Sequence, residues 1–200
     1  MCYSFESSVK AYIVALATMY VMYQRGLKYD KYMIPLIATY SLMQVAEAMM
    51  WKDLKCGSMN MNGTHLAYIS LYSHVLAIGL GIYNVNKQNV PLIMGVLLLL
   101  YGIKNYPKME CSQPKNGNMN WGFDPSFYSI VYALSMISMY MYWDVPISYK
   151  MIGILFYSLS GYYFIMRKEG NVKRKIGSSL WCHFASLFSI CLYFIPNYFK

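Results

Sequence analysis

The chain has 200 residues, of which 58% are hydrophobic, 18% aromatic and only 12% charged. Soluble domains carry charge on about a quarter of their residues, so this composition excludes an ordinary soluble domain and indicates a membrane protein. The formal net charge of +9 does not indicate nucleic-acid binding, because lysines and arginines flank the apolar runs instead of forming a separate basic domain.

Apolar runs follow one another along the chain, and their lengths suit helices that cross a hydrocarbon core about 30 Å thick. They predict helices at 9–24, 32–51, 66–83, 90–103, 127–143, 151–166 and 176–199. We find no sustained alternation of apolar and polar residues of the kind that predicts membrane strands. We therefore predict a single domain, 1–200, with an all-α fold: an integral membrane bundle of about seven transmembrane helices in a lipid bilayer.

Two polar segments, 52–65 and 104–126, are longer than the other connections, and the second has the Asn, Gly, Pro and Lys content of a long loop. With seven helices, both lie on the same side as the amino terminus, which we call the loop face. Lysines and arginines are more numerous on this face, so the positive-inside rule predicts that the loop face and the amino terminus are cytoplasmic.

Two weaker signals point to the opposite orientation. Cys2, Cys56 and Cys111 fall in polar ends or loops, where each is a candidate thiol or disulfide partner, and a disulfide requires that two of them share an oxidising side. The segment 62–64, Asn-Gly-Thr, is an acceptor sequence for N-glycosylation. The charge count carries more weight, because such triplets also occur by chance.

Three side chains that can ionise near neutral pH lie inside the apolar runs: Glu47, His74 and His183. Such a group is costly at membrane depth and usually has a function or a specific partner. Helical spacing places Tyr40 and Gln44 on the same stripe as Glu47. This stripe should therefore face other helices and not lipid.

The third and last predicted helices carry similar polar faces. We expect one polar cavity that opens to the loop face, with an aqueous mouth beyond it. The cavity residues are Gln44, Glu47, Ser70, His74, Cys182 and His183, and the mouth residues are Glu6, Trp121 and Asp124.

A metal site is an alternative use of the same groups. Two imidazoles and a carboxylate, here His74, His183 and Glu47, form the ligand set of several zinc and non-haem iron sites. No HExxH, CxxC or HxxxH spacing supports this hypothesis, and the sequence requires no cofactor. Hydrogen bonds that fix helix packing are the more common role of such groups.

Short motifs spread over the whole chain carry a family resemblance. They are MCYSFESS at 1–8, YSLMQ at 40–44 followed by Glu47, and SLWC at 179–182. With Cys56, Cys111 and Trp121, they resemble an uncharacterised family of polytopic membrane proteins found in bacteria, algae and large DNA viruses. The resemblance implies a multi-helix membrane fold and no known activity. The family's recurring positions map here to Cys2, Phe5, Gln44, Glu47, Cys56, Trp121, Trp181 and Cys182.

The leading functional prediction is a non-enzymatic membrane protein whose polar cavity binds or passes a small solute or ion. One alternative is a membrane-embedded, metal-dependent lipid hydrolase. Another is a structural or assembly protein that acts through the loop 104–126.

Overall fold

The computed structural model describes residues 4–115, 118–124 and 128–144, and the single positions 147, 150, 151 and 155. This part of the chain is mostly helical. Its helices are α1 (Phe5–Arg25), α2 (Asp30–Lys52), α3 (Ser58–Asn86), α4 (Val90–Lys104) and α5 (Tyr128–Tyr142). Most of the predicted helix 151–166, all of 176–199, and the residues Cys2, Cys182 and His183 lie outside the described residues.

A small antiparallel sheet lies between α4 and α5. Its strands are β1 (Gln113–Lys115) and β2 (Asn118–Asn120), and Pro114 pairs with Met119. Residues 106–124, which contain this hairpin, are called the cap from here on. The prediction that 104–126 is loop throughout was therefore incomplete, because three residues on each side of the hairpin pair as strands.

Helix α3 begins at Ser58, well before the predicted start at residue 66. The reason lies in the preceding turn, where the Asp53 carboxylate accepts hydrogen bonds from the backbone N–H groups of Gly57 and Asn60, at 3.1 and 3.2 Å. These bonds satisfy donors that a helix start leaves without an intrahelical partner. The predicted segment 52–65 therefore shortens to a tight turn at 53–57.

Helix α3 is central: it packs against α2, α4 and α5, while α1 packs against α2. Glycines allow very close approach at these contacts. A Cβ atom at Gly81 would lie 2.8 Å from the Tyr32 carbonyl oxygen, and one at Gly95 would lie 2.4 Å from Leu76 Cα. Small residues at helix interfaces are typical of membrane bundles.

Two of the described helices, α2 and α3, are long and apolar enough to cross a membrane, whereas α4 is apolar but has only 15 residues. Much of the outer surface of α1 and α4 is also apolar. Its exposed residues include Ile13, Leu16, Tyr20, Ile93, Leu97, Leu100 and Ile103. The described residues thus contain two helices that could cross a membrane by length and composition, and they do not support the predicted count of seven spans.

Candidate functional site

The polar stripe of α2 is buried against other helices. Tyr40, Gln44 and Glu47 expose 7%, 3% and 2% of their surfaces, and on α3 Ser70 and His74 each expose 1%. Each of these side chains is thus removed from the outer surface of the bundle. The helical spacing in the sequence predicts this burial.

Helices α2 and α3 meet near the middle of the bundle through two specific contacts. The His74 ring stacks on the Tyr40 ring with a centroid distance of 4.7 Å and an interplanar angle of 25°. One turn nearer the loop face, the Ser70 hydroxyl donates to the Thr39 carbonyl oxygen at 2.8 Å. These contacts set the height of His74 relative to α2.

Glu47 lies much nearer the loop face than His74. It follows Tyr40 by seven residues, which corresponds to a rise of about 10 Å along α2. The packing agrees, because a Cβ atom at Gly63, near the start of α3, would lie 2.7 Å from the carbonyl oxygen of Ala46. Gln44 lies between the two heights. The buried polar groups therefore form a column along α2 and not a single cluster.

The predicted metal site of Glu47, His74 and His183 stays a prediction. Among the described residues, no group of three His, Cys, Asp or Glu side chains could hold a metal. The third predicted ligand, His183, lies outside the described residues.

Helix α5 adds two buried hydroxyls that were not among the predicted cavity residues. Ser135 and Ser138 are both fully buried, and neither has a hydrogen-bond partner within the described ranges. Asn86 Nδ2 donates to the Tyr142 carbonyl oxygen at 2.6 Å, so the end of α5 is level with the end of α3. By the helical rise, both serines lie nearer than His74 to the opposite face, which is the side of the bundle away from the loop face. Their i, i+3 spacing in an apolar run was the available signal.

A polar network connects the helix ends at the opposite face, the side of the bundle away from the loop face. The Tyr32 hydroxyl donates to Asn86 Oδ1 at 2.5 Å and accepts from the backbone N–H of Asp144 at 3.2 Å. Lys28 donates to the Asp144 carboxylate, and this hydrogen bond lowers the pKa of Asp144 below its ordinary value. The network ties α2, α3 and the end of α5 together.

On the loop face, the cap is attached to α3 through Ser112. Asn60 Nδ2 donates to the Ser112 carbonyl oxygen at 2.8 Å, and Ser112 N donates to Asn60 Oδ1 at 2.9 Å. The hydroxyls of Thr64 and Ser112 are hydrogen-bonded at 2.7 Å, and Gly122 N donates to Ser112 Oγ at 3.0 Å. Asn60 and Ser112 were not selected from the sequence, where nothing distinguishes them from other loop residues.

A disulfide between Cys56 and Cys111 reinforces this attachment. It joins the α2–α3 turn to the cap across 55 residues of sequence. Of the three cysteines considered as thiols or disulfide partners, Cys56 and Cys111 form the bridge, and Cys2 lies outside the described residues.

The predicted mouth residues differ in their environments. Glu6 and Asp124 are exposed, but Trp121 is buried in the core with Met119 and Phe123, and its ring stacks on Phe123 at a centroid distance of 5.5 Å. The prediction that Trp121 lines an open aqueous mouth was therefore wrong. The alternation of the β2 strand and the residues after it turns these apolar side chains inward.

The acceptor triplet at 62–64 has structural roles in this fold. Asn62 is exposed, whereas Gly63 allows the close approach of Ala46 and the buried Thr64 hydroxyl bonds to Ser112. Packing thus explains Gly63 and Thr64 without glycosylation.

Comparisons of the chain with protein-family models, with curated proteins and with solved structures find no match.

Proposed function

We propose that the chain is a multi-pass integral membrane protein that binds or passes a small cation through a polar column between α2 and α3. The observation that carries the proposal is the burial of Glu47 and His74 within the two helices that are apolar enough to span a membrane. Ionisable side chains at membrane depth face the bundle interior and commonly mark ion or proton pathways.

The order of groups along the column supports passage. Glu47 lies near the loop face, Gln44 follows, and Tyr40 and His74 lie near the middle. Successive oxygen and nitrogen atoms can replace the hydration shell of an ion in steps, and weak binding at several positions allows release. Glu47 is the one acidic residue within the apolar parts of α2 and α3. Its carboxylate favours a cation over an anion.

The test is ion flux into liposomes that contain the full-length chain and a fluorescent dye specific for the ion measured. Proton, sodium and potassium gradients are imposed in turn. Glu47→Gln keeps the shape of the side chain but removes its charge, so we expect at least a tenfold loss of flux, equivalent to about 1.4 kcal/mol. Glu110→Gln is the matched control, because it makes the same change at an exposed cap residue.

The expected result is cation flux by the wild type and by Glu110→Gln, and loss of flux in Glu47→Gln with an unchanged unfolding midpoint. Flux equal to that of protein-free liposomes would contradict the proposal. Equal flux in the wild type and Glu47→Gln would also contradict it.

A second candidate function is assembly through the cap, and the observation that favours it is the bracing of this segment. A disulfide and the hydrogen bonds of Asn60 hold the cap in one conformation. Such preorganisation lowers the entropic cost of binding a partner. This function predicts a co-purifying protein that is lost when the hairpin 113–120 is replaced by a short Gly-Ser linker.

A further inference from the structure

We infer that the loop face lies on the oxidising side of the membrane, the reverse of the orientation predicted from the charge count. The loop face here comprises the amino-terminal end of α1, the turn 53–57 and the cap. The inference rests on the proposed function, because a chain has sidedness only if it crosses the membrane.

The Cys56–Cys111 disulfide is the first observation. Disulfides form and persist in oxidising compartments, whereas cytosolic reductants keep thiols reduced. The bridge also agrees with the connectivity: α3 runs away from the loop face and α4 returns to it, so the turn before α3 and the segment after α4 lie on one side. Both cysteines therefore report on the same compartment.

Contacts other than the covalent bond also bring the two sulfurs together. The Asn60 side chain holds both backbone polar groups of Ser112, the neighbour of Cys111. Gln113 Nε2 donates to Cys56 Sγ at 2.8 Å. Cys56 has a left-handed backbone, with φ of 64°, which is uncommon for a residue other than glycine. The contacts that attach the cap to α3 therefore also position both cysteines.

The charge count opposes this orientation only weakly within the described residues. Near the helix ends, the loop face carries Lys10, Lys52, Lys55, Lys104, Lys108 and Lys115, and the opposite face carries Arg25, Lys28, Lys31, Lys87 and Lys150. These sets are nearly equal, so they set no orientation under the positive-inside rule. The predicted excess comes from basic residues at 167–175, and their assignment to the loop face depends on the count of seven helices.

The test uses single-cysteine reporters in the full-length chain. Cys2, Cys182 and Cys191 are replaced by serine, and the Cys56–Cys111 pair is kept because a disulfide does not react with maleimide. Lys108→Cys reports on the exposed cap, and Gln88→Cys reports on the exposed turn between α3 and α4 at the opposite face. Intact and permeabilised cells are treated with a membrane-impermeant maleimide polymer that shifts the gel mobility.

We expect Lys108→Cys to be labelled in intact cells and Gln88→Cys only after permeabilisation. The variant without either reporter, which retains only Cys56 and Cys111, should react with two maleimide polymers only after treatment with an impermeant reductant. The reverse reporter pattern would overturn the inference, as would labelling of Cys56 and Cys111 without reductant after rapid alkylation in living cells.

Failure of the proposed function has a different signature. If the chain does not cross the membrane, alkaline carbonate releases it from membranes, and the two reporters are labelled to the same extent in intact cells. If the chain is retained in carbonate-washed membranes and the two reporters are labelled unequally, the chain is inserted in the membrane. The reporter that is labelled in intact cells then gives the sidedness.

Discussion

The carboxamide of Asn60 satisfies both backbone polar groups of Ser112, a residue 52 positions away, with hydrogen bonds of 2.8 and 2.9 Å. Both residues are fully buried. A single side chain on the first turn of α3 therefore anchors the cap from inside the protein.

Removal of this carboxamide should loosen the cap. In Asn60→Ala, the buried N–H and carbonyl of Ser112 lose their partners, and each buried group left unsatisfied costs about 1–3 kcal/mol. We expect a loss of about 3 kcal/mol in the free energy of unfolding and faster proteolysis within the cap. Denaturant titration of the detergent-solubilised chain measures the first effect. The exposed Asn62→Ala is the control, and equal effects of the two substitutions would contradict the prediction.

Loss of the disulfide should destabilise the same region. Closure of a loop of 55 residues in the unfolded chain corresponds to a stabilisation of about 4 kcal/mol in the chain-entropy model. We expect Cys56→Ala combined with Cys111→Ala to lower the unfolding midpoint. Reductant should lower the midpoint of the wild type to that of the double variant. A reductant effect of equal size in the double variant would show that the bridge is not its cause.

The contact between α3 and α4 should not tolerate a larger residue at Gly95. An added Cβ atom would lie 2.4 Å from Leu76 Cα and 2.6 Å from Leu76 N, and backbone atoms can give way only if the helices separate. We expect Gly95→Val to cost about 1–3 kcal/mol or more in thermal unfolding experiments. Leu97→Val places the same residue at an exposed position of α4 and should be close to neutral.

The two ion pairs near the opposite face should contribute very differently to the stability of the fold. Asp30 exposes 1% of its side chain and pairs with the mostly buried Arg25 guanidinium at 2.5 Å, so Asp30→Asn removes the charge from one side of a buried ion pair. Breaking a buried pair costs about 3–5 kcal/mol. Asp144, which pairs with Lys28, is exposed, and Asp144→Asn should change stability little near neutral pH. Equal destabilisation by the two substitutions in denaturant titrations would refute this contrast.

The pH dependence of the exposed pair follows from the lowered pKa of Asp144. A carboxyl with a lowered folded-state pKa stabilises the fold above its ordinary pKa, and this contribution is lost as the pH falls through the lowered value. The small difference in unfolding midpoint between the wild type and Asp144→Asn should therefore disappear in acid. A difference that grows on acidification would have the wrong sign.

The local features of α2 could be predicted from the sequence. Its apolar run predicts a helix at 32–51, and the structure has one at Asp30–Lys52. The start of α3 could not be predicted in the same way, because its first turns are polar. Those turns are helical because the Asp53 carboxylate accepts hydrogen bonds from the backbone N–H groups of Gly57 and Asn60. The cap, residues 106–124, then buries Asn60 and Thr64.

What the sequence by itself determined was the helical character of the chain and the burial of Gln44, Glu47 and His74, because residue spacing and hydropathy are local properties. Only the tertiary structure decided that Cys56 meets Cys111, that Asn60 holds Ser112, and that His74 stacks on Tyr40. These relationships depend on the register between packed helices, which is set by close contacts such as those of Gly63 and Gly95. Spacing within one helix contains no information about that register.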